Sequence, residues 1–506
     1  MTTRRRVLQG AAWVTVGEGV GYAASFARNM ILARLLSKAD FGMAAVFGMV
    51  ISLLEFTAKL GVGRFLVRDK EGDDPTFVAT GHALQAAAAL GSAILIVLLA
   101  PLLARWLGIG DHAWALAVLA GVVLARGLQH LDVQRFERHL RFGPGAMTEA
   151  VPQVLITLAA WPLAIWLPDY RAVLILLMAK AVVGLALSHL LAERPYRWTW
   201  HPEFGRRMIR FGWPLLLTGF LMFGIMQGDQ FLVATFYDMA ELAPYAAAVA
   251  LLMAPQFLFG RVFNTVALPL MARVQDDAVL FVRRYRQVVG ATTLYAAIST
   301  AVLMVGAEAW MRAVYGPKYA GAGVLMAWLA AVAAFRALRM AVAVANIARG
   351  DSQSQLIANL WRASSLLPAF WVASHAQPLW WIAACGLIGE LLATGACVWR
   401  LWRQAGVLVG LTLRPALGLL ALTGTCGLVG HWAGDLSMGL SAVLAGLLGL
   451  TAGVGVVIAR AELRVEAVTF WRALVSDGPR QALRSWLGGE RQSTEPAPAH
   501  TALPNH

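Results

Sequence analysis

Seven basic and four acidic side chains fall inside stretches of this sequence that are otherwise apolar enough to cross a membrane: Arg28, Lys59, Lys180, Arg261, Arg336, Arg339 and Arg362, with Glu18, Glu55, Asp229 and Glu390. A charge near the middle of a spanning helix costs about 2.5–3.5 kcal/mol on insertion scales, so each must face water, an opposite charge or a charged ligand. The excess of cations favours an anionic ligand. Arginine suits phosphate in particular, because its guanidinium offers a fork of donors and stays charged.

Arg336 and Arg339 stand three apart and share a helix face, where two like charges repel unless an anion or an acid such as Glu390 lies between them. Arg261 sits about nine residues, or ~13 Å, from the inner end of its segment, at a depth an inward-open cavity would reach. Arg28 and Asp229 occupy similar depths on two different segments and could pair across them as a gate. The alternative is local satisfaction, Arg28 by Asn29 and Asp229 by Gln227 or a backbone group. Glu55 and Lys59 have the i, i+4 spacing of an ion pair on one helix. Glu18 lies at a depth similar to that of Lys59 and is either a third member of that group or an acid that couples transport to a proton or cation. Lys180 and Arg362 read as internal or snorkelling residues outside the site.

These side chains need a polytopic helical frame. Of the 506 residues 59% are hydrophobic and 14% charged, far more apolar than a soluble domain. A spanning helix takes ~20 apolar residues, and the pattern predicts an all-α protein of about fourteen transmembrane helices. They fall near 12–35, 41–63, 79–102, 113–131, 146–167, 171–191, 211–236, 242–270, 287–308, 322–348, 355–374, 378–400, 414–432 and 438–459. Of the 42 Lys and Arg, 29 fall on the side of the N-terminus and only six, among them Arg34, Lys38 and Lys318, on the other. That bias predicts both termini in the cytoplasm. It also explains the net charge of +14 by topology rather than by nucleic-acid binding. Thr3-Arg4-Arg5-Arg6 resembles a twin-arginine export signal, but Glu18 interrupts the apolar core and thirteen further spans follow, so an uncleaved first helix is expected. Cys385, Cys397 and Cys426 all lie in apolar spans and suggest neither a disulfide framework nor a metal site, and no cofactor is implied.

A shift of 201 residues lays Arg28-Asn29-Met30-Ile31-Leu32-Ala33 over Asp229-Gln230-Phe231-Leu232-Val233-Ala234, and Ala39-Asp40-Phe41-Gly42 over Ala240-Glu241-Leu242-Ala243. Six spans separate the copies, so both enter the membrane in one direction. Two six-helix lobes related by a pseudo-two-fold along the membrane normal follow, with two extra C-terminal helices. The expected units are residues 1–191 (first lobe), 192–210 (inter-lobe loop), 211–404 (second lobe), 405–460 (helices thirteen and fourteen) and 461–506. In the last unit an amphipathic interfacial stretch over 461–487 precedes a disordered end.

Leu32-Ala33-Arg34-Leu35-Leu36-Ser37-Lys38-Ala39-Asp40-Phe41-Gly42, followed by Leu60-Gly61-Val62-Gly63, resembles the turn between the first two helices of the multidrug/oligosaccharidyl-lipid/polysaccharide (MOP) exporter superfamily, specifically its Wzx-like polysaccharide flippases. Gly228-Asp229-Gln230-Phe231-Leu232, Ala240-Glu241-Leu242-Ala243-Pro244-Tyr245 and Ala267-Leu268-Pro269-Leu270 are similar to the corresponding pattern of helices seven and eight, with Ala243-Pro244 where the family usually shows a lone Gly. The resemblance implies a flippase of the bacterial inner membrane, not an enzyme, that moves an undecaprenyl-diphosphate-linked oligosaccharide by alternating access for exopolysaccharide or O-antigen assembly. Its partners would be the lipid-linked oligosaccharide, membrane lipids and, as further candidates, polysaccharide polymerase and export proteins. In that setting Arg28, Arg261, Arg336 and Arg339 are the candidate substrate-binding cations, and Asp229, Glu18, Glu55 and Lys59 the candidate gate or coupling groups. A murein-precursor flippase and a multidrug exporter of the same superfamily remain alternatives. A membrane polymerase or ligase is the rival from another class, and the longest outer connection, residues 309–321, leaves little room for its active site.

Overall fold

The computed structural model describes residues 3–58, 61–433 and 437–459, with the side chains of residues 3–14 and 54–58 outside the description. Among these residues the regular structure is helical throughout. The first group of helices is α1 (Thr3–Leu35), α2 (Lys38–Ala58), α3 (Val62–Arg68), α4 (Pro75–Trp106), α5 (Ala113–Gly127), α6 (Asp132–Arg138), α7 (Gly143–Trp166) and α8 (Tyr170–Leu190). The second is α9 (Pro202–Phe236), α10 (Met239–Ala272), α11 (Ala278–Thr300, continued by a π turn over Ala301–Val305), α12 (Ala307–Tyr315), α13 (Gly323–Ala348), α14 (Gln353–Ser364), α15 (Leu366–Ser374) and α16 (Trp380–Ala405). The last two are α17 (Gly410–Ala433) and α18 (Met438–Ala459).

Ten helices, α4, α7–α11, α13 and α16–α18, are long and apolar enough to cross a membrane, and α5 with α6 forms a further bent pair, angled by 47°. The other expected spans fall on α1, on α2 with α3, and on the α14–α15 pair, which is interrupted at Ser365. Gly61 takes a left-handed φ of 63° where α3 begins. Pro368, in the first turn of α15, has no backbone N–H to donate to the carbonyl four residues earlier, as a continuous helix would require.

Within the first group α1 packs on α7, α4 on α5, and α8 on both α5 and α7. Within the second, α13 packs on α10, α11 and α16, and α14 on α16. Helices α17 and α18 lie against α11 and its π turn. The residues expected as an inter-lobe loop, 192–210, are helical from Pro202 onward. The reason is packing: Met208, on this early part of α9, is fully buried with Leu66 of α3 and Phe77 of α4, so the inner half of α9 belongs to the first group and its outer half to the second. Pro214 lies between the halves.

The 201-residue repeat is visible in the capping chemistry. Ser37 accepts from the Asp40 amide at 3.0 Å and opens α2, while Asp238 accepts from the Glu241 amide at 2.7 Å and opens α10. These two helix starts meet across the groups. A Cβ on Gly42 would lie 1.9 Å from the Met239 carbonyl oxygen, so α2 and α10 touch backbone to backbone and only glycine fits. Two cations fasten the same end reciprocally. Arg34, at the end of α1, donates to the carbonyls of Ala313 and Val314 at the end of α12, and Lys318 donates to the carbonyls of Arg34 and Leu36. A cation at a helix C-terminus is worth about 0.3–1 kcal/mol when exposed. Replacing both Arg34 and Lys318 by alanine is therefore expected to raise, by about tenfold, the labelling of a cysteine at Ser52 by an impermeant maleimide added to the side that holds Leu35. Unchanged labelling would show that the Gly42 contact alone keeps that end shut.

At the opposite end Arg207 of α9 pairs with Asp69 at 2.6 Å and with Glu71, which ties the early part of α9 to the first group. Asp351, between α13 and α14, takes a bidentate pair from Arg400 of α16 at 2.7 and 2.8 Å. Hydrogen bonding to Arg400 holds the Asp351 carboxyl below its ordinary value, against burial, which raises it. A carboxylate lowered in the fold stabilises above its unfolded pKa of about 3.9, and that contribution is lost as pH falls through the folded value. Asp351→Asn should cost about 1.5–3 kcal/mol at neutral pH. In thermal unfolding of the two proteins, the gap should close below about pH 4.

Candidate functional site

The interior of the first group is hollow. A cavity of about 720 Å³ runs from Arg64 and Gln134, at the end that carries α3 and α6, to Ile51 of α2 and Met222 of α9. Its walls are α2–α9, and its ionic groups are Arg64, Arg126, Lys180, Glu137 and Glu149. A second chamber of about 430 Å³ shares Glu137, Gly145, Glu149 and Lys180 with the first and continues past Gln153 to Glu18 and Tyr22 on α1. The packing that builds the walls is seen on α7, where Gly145, Glu149 and Gln153 repeat every four residues and so line one helix face.

Glu18 closes the far end of the second chamber by an ion pair with Arg261 of α10. Tyr22, one turn along, stacks on Phe257 with ring centroids 3.5 Å apart. Helix α1 and helix α10 belong to different groups, so this is an ionic link between the two halves. Both side chains keep more than a third of their surface, 41% for Glu18 and 35% for Arg261, and the pair is open to a competing anion.

Of the two readings of Arg28 and Asp229, the structure has local satisfaction. Asp229 accepts from the Tyr245 hydroxyl at 2.9 Å and from the Gln230 amide at 2.8 Å, both inside the second group. Arg28 donates to Asn29 at 3.2 Å, and its Nε is buried with no hydrogen-bond partner. The two residues do not pair; Glu18 and Arg261 supply the link between halves instead. Depth along a helix is set by sequence position, but facing depends on helix rotation, and the repeat fixed only the former.

Arg336 and Arg339 do share a helix face, and what lies between them is Glu390. Arg336 Nε and Arg339 Nε each donate to that carboxylate at 2.9 Å, and Arg362 of α14 adds a third pair at 2.8 Å. Glu390 is 1% exposed and Arg339 5%. The side chain of Arg336 keeps 27% of its surface and faces Asp229 on its other side. This cluster is interior to the second group, and neither chamber reaches it. Arg362, set aside in the sequence, is a full member because α14 ends against α16. Glu55 and Lys59 lie outside the described side chains.

Two cations of the chamber were passed over. Lys180 reads from the sequence as internal or snorkelling, and Arg126 falls within the expected span 113–131, where it occupies the last turn of α5, which stops at Gly127. The Gly145, Glu149, Gln153 spacing was the available signal: polar residues every four positions in an apolar helix mark a wetted face. Among the described residues no cluster of His, Cys, Asp and Glu could hold a metal ion. The three cysteines are buried and free.

Two packed helix groups that meet backbone to backbone at one end, with polar chambers inside, an exposed ion pair between the halves and ten helices long and apolar enough to cross a membrane, define a multi-pass membrane protein. More particularly, the chain belongs to the polysaccharide biosynthesis protein family, whose model matches residues 31–323. In structure it is similar to the lipid II flippase MurJ in an inward closed conformation, at 12% identity and a TM-score of 0.66, over 89% of this chain and 99% of that one. It is also similar to an inward-facing multidrug resistance MATE family transporter of the MOP superfamily, at 14% identity and a TM-score of 0.58, over 82% of this chain and 99% of that one. At such identities the likeness is one of fold. No curated protein matches the chain by sequence.

Proposed function

We propose that this protein is a flippase for an undecaprenyl-diphosphate-linked oligosaccharide of the bacterial inner membrane, and that the diphosphate is received at Arg261. The observation that carries the reading is the Glu18–Arg261 pair: Glu18 lines the second chamber, and Arg261 beside it keeps 35% of its side-chain surface and has as its present partner an acceptor that a phosphate can replace. Membership of the polysaccharide biosynthesis family supports a glycan-bearing lipid as cargo.

The physics of the task matches the residues. A diphosphate cannot enter hydrocarbon unaided, because stripping an ion of water costs tens of kcal/mol in a Born estimate. A guanidinium in a wetted chamber replaces that water, and the polyprenyl tail stays in lipid. When phosphate displaces Glu18, the link between α1 and α10 opens and the freed carboxylate can take a proton or a cation. Binding would then weaken a contact between the halves, as alternating access demands. Arg28, a buried guanidinium whose one hydrogen-bond partner is Asn29, is the second candidate contact. Arg336 and Arg339 belong, in this reading, to the scaffold of the second half.

The test is translocation in proteoliposomes. Purified protein should move a lipid-linked oligosaccharide between leaflets, and deleting the gene should trap that lipid on the cytoplasmic leaflet. Export of cationic drugs without lipid movement would favour the multidrug branch. Movement of murein precursor alone would favour that flippase.

A further inference from the structure

The diphosphate occupies one end of the chambers and leaves the larger one unassigned. We propose that the 720 Å³ cavity inside the first helix group is a glycan pocket that holds the sugars next to the diphosphate and selects among lipid-linked substrates; this rests on the flippase reading above. Its volume lies within the ~300–1,000 Å³ range of small-molecule sites.

The chemistry of the walls decides between ligand classes. Two buried polar atoms without a hydrogen-bond partner among the described residues belong to residues that line the two chambers: Gln134 Oε1 and Gln153 Nε2. The set therefore offers one donor and one acceptor. A phosphate or carboxylate, acceptor only, would serve the donor and leave Gln134 Oε1 unmatched, and a cation would do the reverse. Hydroxyl groups donate and accept, so a polyol satisfies the whole set, and the terminal amide torsions are soft enough to turn the two Gln side chains toward it.

Charge agrees with that choice. Arg64, Arg126 and Lys180 are nearly balanced by Glu137 and Glu149 within the same walls, unlike a vestibule built for a diphosphate. Carboxylates that accept from vicinal hydroxyls, beside amides, suit a sugar ring. The geometry also puts the parts in order. The chambers share Gly145, Glu149 and Lys180, so a headgroup whose phosphate is at Arg261 would extend its sugars past Gln153 into the larger cavity.

The experiment uses the full chain in nanodiscs and compares two probes by competition: bare undecaprenyl diphosphate, and the lipid-linked oligosaccharide fraction extracted from membranes of cells that lack this protein. The wild-type protein should bind the glycosylated lipid about tenfold or more tightly than the bare one, the effect of a few satisfied neutral hydrogen bonds. Gln134→Leu with Gln153→Leu should bring that ratio close to one. Gly145→Leu, which fills the junction between the chambers without touching an amide, should do the same and guards against a folding defect in the first variant. Arg261→Gln should lower both affinities and keep the ratio. A wild-type ratio of one, or a ratio that both chamber variants preserve, overturns the glycan pocket and leaves a water-filled vestibule. If Arg261→Gln binds bare lipid as the wild type does, the diphosphate assignment fails while the pocket stands or falls on the ratio.

Discussion

Arg261→Gln is expected to lower translocation of lipid-linked oligosaccharide by roughly 10- to 100-fold in proteoliposomes. A hydrogen bond to a charged group contributes about 1.5–3 kcal/mol, every 1.4 kcal/mol is a factor of ten, and the exposure of Arg261 keeps the loss below that of a fully buried pair. Loss of the Glu18 pair could by itself loosen the halves, so structure and cargo must be separated. The charge swap Glu18→Arg with Arg261→Glu keeps an ion pair between α1 and α10 but moves the cation from one half to the other. If Arg261 only ties the halves together, the swap should restore transport to near the wild-type rate. If it receives a phosphate at that position, the swap should fold and remain inactive. Arg261→Lys, which keeps the charge but loses the fork of donors, should fall between the two. Full activity of Arg261→Gln would remove this residue from the site.

The second large effect concerns stability. Glu390→Gln should destabilise the second helix group by about 3–5 kcal/mol, the usual cost of leaving a buried charge without its counter-ion. Here one carboxylate serves Arg336, Arg339 and Arg362 together. Thermal or denaturant unfolding in detergent measures the loss. Arg339→Met is the informative contrast. It removes one of three cations, leaves Glu390 with two partners and replaces a buried guanidinium stem by an apolar chain of similar shape, so it should cost clearly less than Glu390→Gln. Equal losses from the two variants would mean that packing, rather than charge neutralisation, holds α13, α14 and α16 together.

The helical class and the approximate positions of the apolar elements were legible because hydropathy acts along the chain: a bilayer imposes both length and composition on each segment. The repeat was legible too, since Ser37 with Asp40 and Asp238 with Glu241 open their helices by the same local hydrogen bonds. The breaks were harder to place. The Ser365 junction interrupts a stretch whose apolar character continues, so α14–α15 read as one span. The start of α9 at Pro202 was hidden because its early turns are polar on one side and buried by Leu66 and Phe77, which are far away in sequence.

The amino-acid sequence alone determined the ingredients: which segments prefer lipid, which charged residues must be compensated inside them, and which family the two turn motifs resemble. Only the tertiary structure decided the pairing. Glu18 reaches Arg261 across 243 positions, Glu390 gathers three arginines from two other helices, and Arg28 and Asp229 remain apart despite their equivalent depths. The physical reason is that hydropathy fixes how deep a residue lies but not the rotation of its helix about its own axis. That rotation is set by close packing against neighbours, such as the contact of Gly42 with Met239, and it selects which charges face a chamber and which face each other.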